Sequence, residues 1–94
     1  MAAQITVAAS EKSAGWECVV TVSEAGAQTT HVVTVDRSYL GRIAGPGVPV
    51  ERLVEKSFEF LLAREPKESI LRSFALPVIS RYFPEYEVEI RKQL

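Results

Sequence analysis

The chain contains no asparagine, one cysteine (Cys18), one histidine (His31) and one aspartate (Asp36). Without asparagine there is no N-glycosylation acceptor and no Asn-Gly hairpin turn. A lone cysteine rules out an intrachain disulfide and a cysteine-based zinc site, and it fits a reducing compartment. A lone histidine means that any His-Cys, His-His or Ser-His arrangement must be built around His31. Zinc would then have to recruit Cys18, Asp36 and glutamates that fall mostly on solvated helix faces. No metal site, cofactor or catalytic constellation is therefore expected. Long apolar runs are missing too: nothing approaches the ~20 residues of a membrane span. The opening Met-Ala-Ala-Gln-Ile-Thr-Val lacks the basic and apolar regions of an export signal. The expectation is a soluble, cytoplasmic protein without membrane association.

Charge of one sign is also absent. Eleven basic and twelve acidic residues give a formal net charge of -1, with the signs interleaved along both halves. No positive field is available to neutralise phosphates, which disfavours nucleic acid as a partner. At 94 residues, 47% hydrophobic and 24% charged, the chain has the composition of an ordinary globular domain spanning 1–94.

The first third alternates with period two. From Trp16 to Ser23, one side carries Trp16, Cys18, Val20 and Val22, and the other Glu17, Val19, Thr21 and Ser23, which predicts a half-buried strand. Glu24-Ala25-Gly26-Ala27 supplies a turn, and Gln28 to Asp36 a second strand of β-branched residues. Pairing Ser23 with Gln28 puts Val22 opposite Thr29, Val20 opposite His31, Cys18 opposite Val33 and Trp16 opposite Val35. Gln4 to Ala8 is a shorter strand completing an antiparallel meander.

Beyond Asp36 the period changes. Asp36 can cap a short helix carrying Tyr39, Leu40 and Ile43, which Gly45-Pro46-Gly47 ends. The main helix is expected from Pro49 to Arg64, with Val50, Leu53, Val54, Phe58, Leu61 and Leu62 inward. Pro66 stops it and opens another, with Ile70, Leu71 and Phe74 as its stripe. Pro77 starts a last turn or two ended by Pro84. Glu85 to Arg91 alternates again and predicts a fourth strand. The expected fold class is α+β: a mainly antiparallel sheet in β-β-β-α-α-α-β order, with helices on one face.

The run ERLVEKSFEFLLAREPKESILRSFALPVISRYFPEYE, with Tyr39 before it, resembles a family of small bacterial proteins of unknown function. The strings that carry the likeness are Ser57-Phe58-Glu59-Phe60-Leu61-Leu62, Arg64-Glu65-Pro66, Ser69-Ile70-Leu71 and Tyr82-Phe83-Pro84-Glu85. The resemblance implies a compact α+β fold and brings no catalytic residue or cofactor with it.

Individual motifs mostly favour structural roles. The glycines from Gly41 to Gly47 lack the Lys-Ser/Thr of a phosphate loop, and Pro46 removes an amide. Cys18 alternates with Trp16 and Val20, as a small core residue does. Arg64, Glu65, Lys67, Glu68 and Ser69 crowd around Pro66. They form either an exposed helix corner or a recognition corner, where arginine could clamp a carboxylate or phosphate. Candidate binding residues are thus Arg64, Glu65, Lys67, Ser69 and His31. The leading expectation is a non-catalytic binding or accessory domain acting through contacts with another protein. The alternative is a small enzyme or ligand-binding protein whose pocket, between sheet and helices, holds His31, Tyr82 and Arg64.

Overall fold

Alternation and one tight turn organise the first three strands of the computed structural model, which describes residues 3–94. β1 (Gln4–Glu11), β2 (Gly15–Glu24) and β3 (Ala27–Asp36) form an antiparallel meander. The hairpin register is the expected one, from Ser23 opposite Gln28 to Trp16 opposite Val35. Its loop is shorter than expected, because Glu24 pairs with Ala27. Ala25 and Gly26, at φ +53° and +79°, form the left-handed pair that matches strand twist in a two-residue hairpin. At the other end the strands converge closely. A Cβ on Gly15 would lie 2.0 Å from the Val35 carbonyl oxygen, so only glycine fits there.

The inward faces of β2 and β3 bury Cys18, Val20, Val22, Val33 and Val35. Helices α1 (Arg37–Ala44) and α2 (Val50–Leu62) follow. Asp36 holds the N-cap position of α1 in extended conformation, but its side chain makes no capping bond. The helix stops at Gly45, whose φ of +75° is left-handed, as its glycine-rich sequence predicts. α2 lays Leu53, Val54, Phe58 and Leu61 onto the sheet and begins directly after Pro49.

Two elements correct the sequence-based expectation. Ile70, Leu71 and Phe74 do not share a helix. After a single 3₁₀ turn at Lys67–Ser69 the chain runs extended into β4 (Ser73–Ala75), which pairs parallel to β3 with Phe74 beside Val33. Short apolar runs fit either period, and here the open edge of β3 decides. The Val32 amide donates to the Arg72 carbonyl at 2.8 Å, and Phe74 packs on Phe58 with ring centres 6.1 Å apart.

The expected C-terminal strand is likewise a helix, α4 (Tyr86–Gln93), which follows a 3₁₀ turn at Leu76–Val78 and the short α3 (Ile79–Tyr82). Tyr86 and Ile90 alternate with charges, but they are also four residues apart and both fully buried, whereas Val88 faces solvent. Glu87 and Glu89 near the start and Arg91 and Lys92 near the end suit the helix dipole. The order is therefore β-β-β-α-α-β-α-α, with the sheet ordered β1-β2-β3-β4 and the class still α+β.

Polar bonds tie the helices together. Ser57 of α2 donates to the Leu53 carbonyl at 2.7 Å and lies 2.6 Å from the Tyr86 hydroxyl. Tyr39 of α1 donates to Glu87 at 3.1 Å, and Arg42 reaches the same carboxylate at 3.2 Å. Burial pushes the Tyr86 phenol up to about 12 and raises that of Tyr39 as well. The Arg42 guanidinium holds Glu87 below the usual carboxylate range.

Candidate docking cleft

The polar corner around Pro66 does not converge on one point. Arg64 turns toward α4: its guanidinium lies 3.6 Å from the centre of the Phe60 ring, donates to the Phe60 carbonyl at 3.1 Å and approaches Glu85 at 3.4 Å. Lys67 turns inward and is buried, with its ammonium 3.1 Å from Glu68 and 3.6 Å from Glu24 at the hairpin end. That fastens the corner to the sheet. Glu65 and Ser69 face a third direction, into a cleft between the end of α2 and the 69–83 segment.

His31 lies behind that cleft. It is fully buried, bonded at 2.8 Å through Nδ1 to the Leu71 carbonyl and at 2.8 Å through Nε2 to the Thr29 hydroxyl. A carbonyl can only accept, so Nδ1 carries a proton; in the neutral ring Nε2 then accepts from Thr29. The ring also packs on Phe58 at 5.3 Å. His31 thus positions the backbone of Leu71 and has no free nitrogen for a substrate.

The cleft measures about 120 Å³. Ile70, Phe74 and Ile79 are among its apolar lining residues, Leu71 and Tyr82 stand exposed on it, and Glu65 and Ser69 supply its polar groups. Leu71 is 45% and Tyr82 66% exposed, which is unusual for large apolar side chains that neighbour a concavity. Two larger depressions, of about 240 and 370 Å³, are bordered by charged side chains, among them Lys56 of α2 and Arg64 just beyond it in the first and Arg52 of α2 in the second.

Comparison with protein-family models, curated proteins and solved structures returns no match. The chemistry of the site therefore rests on its own geometry. Of His31, Tyr82 and Arg64, the polar groups of the alternative enzyme or ligand pocket, Tyr82 lines this cleft, Arg64 borders the first depression and His31 is buried in the core. Among the described residues, no three His, Cys, Asp or Glu side chains cluster as metal ligands. Cys18 is buried, and burial pushes its thiol up to about 11, which disfavours the nucleophilic thiolate. No helix among the described residues is long and apolar enough to cross a membrane.

Of the candidate binding residues, Glu65 and Ser69 line this cleft, and its apolar groups lie outside that candidate set. On a helix stripe Leu71 and Phe74 share one face, so no sequence signal separates Leu71, which faces out, from Phe74, which packs on Phe58 of α2. Tyr82 enters the sequence reading as a pocket group beside His31 and Arg64, neither of which lines this cleft.

Proposed function

We propose that this protein is a non-catalytic docking domain that takes one large apolar side chain of a partner protein into the cleft bordered by Leu71 and Tyr82. The observation that carries the reading is the pairing of exposed apolar side chains with an apolar cavity of about 120 Å³. Pockets for small ligands run to about 300–1,000 Å³, so this one suits a single anchor residue better than a metabolite. Glu65 beside it favours a cationic neighbour on the partner segment. The setting that goes with this reading is the cytoplasm, in an accessory protein of the small bacterial family that the 57–85 strings resemble.

Selection from a displayed peptide library tests the idea. The selected peptides should share one bulky apolar residue, and Tyr82→Ala or Leu71→Ser should weaken them about 30-fold, the cost of a lost hot spot. Melting temperature should hold, since both side chains already face solvent. Peptides that bind Tyr82→Ala as tightly as the parent chain would refute this site. Copurification from the native host, run in parallel with Tyr82→Ala, identifies the natural partner.

A further inference from the structure

The sheet face that carries no helix is nearly free of charge. The register aligns Ala8, Val19 and Val32 in one row across three strands, and Thr6, Thr21 and Thr30 in the next. The ionisable groups on this side of the strands, Glu17 and Asp36, both lie toward one end of the sheet. Val19, near the middle, is 42% exposed. Solvated sheet faces ordinarily alternate polar and charged residues outward, whereas interface cores are depleted of charge.

We infer that this face is the interface between two copies of the chain, packed sheet on sheet about a two-fold axis. The inference is independent of the docking cleft, which lies on the helical side. Two arguments favour a second copy as the occupant. A different protein is chosen largely through complementary charge, and these rows offer none to read, whereas an identical face meets them without repulsion. With the two-fold lying between the sheets and running across the strands, the acidic ends of the two copies fall at opposite ends of the interface. Size agrees as well. Strands of 8, 10, 10 and 3 residues, at about 3.3 Å per residue and about 4.8 Å between strands, give a footprint of about 500 Å² before side-chain relief is added. A standard interface takes about 800 Å² from each partner. The aligned packing of two twisted sheets supplies the geometry.

Sedimentation of the full chain over a concentration series tests this. The parent protein should be a dimer at about 100 µM, and Val19→Lys, which buries an unpaired ammonium in the interface, should weaken association about 100-fold or more. Thr30→Lys, at a second exposed position in the adjacent row, should do the same, so the outcome does not hang on the folding of one variant. Val88→Lys on α4, away from the sheet, should leave the dimer intact. A parent chain that stays monomeric at about 100 µM overturns the inference. So does a dimer that survives both Val19→Lys and Thr30→Lys.

Discussion

Removing one hydroxyl at a time from the Ser57–Tyr86 pair should have unequal effects, and the inequality follows from which atom donates. Ser57 has one hydroxyl proton, and the Leu53 carbonyl 2.7 Å away can only accept it. The 2.6 Å contact must then be Tyr86 donating to Ser57 Oγ. Tyr86→Phe removes that donor and leaves Ser57 still bonded to Leu53, a loss of about 1 kcal/mol. Ser57→Ala instead strands the phenol of Tyr86, which is fully buried, and costs about 1–3 kcal/mol. The Leu53 carbonyl is not stranded in either variant, because it keeps its helical amide bond. In Ser57→Ala/Tyr86→Phe the unpaired group is gone, so the double variant should be no less stable than Ser57→Ala alone. Urea unfolding followed by Trp16 fluorescence reads all four proteins, since Trp16 is half-buried under the Arg37 guanidinium at 4.9 Å. For a domain of this size each kcal/mol corresponds to about 4–8 °C in melting temperature. A Tyr86→Phe loss as large as that of Ser57→Ala, or a double variant showing the full sum, would refute the donor assignment.

Three further outcomes are expected. Gly15→Ala should lower stability by about 1–3 kcal/mol or more, because its Cβ meets backbone rather than a movable side chain; a neutral effect in calorimetry would contradict the close approach at Val35. Ala25→Asn should raise stability by several tenths of a kcal/mol to about 1 kcal/mol, since asparagine tolerates the left-handed φ of +53° better than alanine; a lower urea midpoint would argue against that turn. Folding depresses the Glu87 carboxyl, so its contribution is complete above the unfolded carboxylate value near 4.5 and is lost as pH falls through the lower folded value; Glu87→Gln should flatten the acid limb of stability against pH, and an unchanged limb would show that Arg42 and Tyr39 do not hold the charge.

The amino-acid sequence by itself determined the meander and the long helix. A period of two over Trp16 to Val22 and Thr29 to Val35 permits one register, because a slip by a single residue would send Cys18, Val20 and Val33 to the solvent side. Pro49 and the 3.6-residue stripe from Val50 to Leu61 leave the start and buried face of α2 little freedom. Two later segments were ambiguous in isolation: 70–75 fits a short helix as well as a strand, and Tyr86, Val88 and Ile90 fit a strand as well as two helical positions four apart. Tertiary structure decided both, the first at the open β3 edge of the sheet and the second at α2. β4 fills the β3 edge, burying Phe74 on Phe58 and meeting the Val32 amide, while Tyr86 finds Ser57 on α2 and holds its own segment helical. The candidate site divides the same way. Glu65 and Ser69 could be read from a polar corner, but the cleft exists because His31 fixes the Leu71 carbonyl across 40 positions of sequence, a contact that local pattern cannot encode.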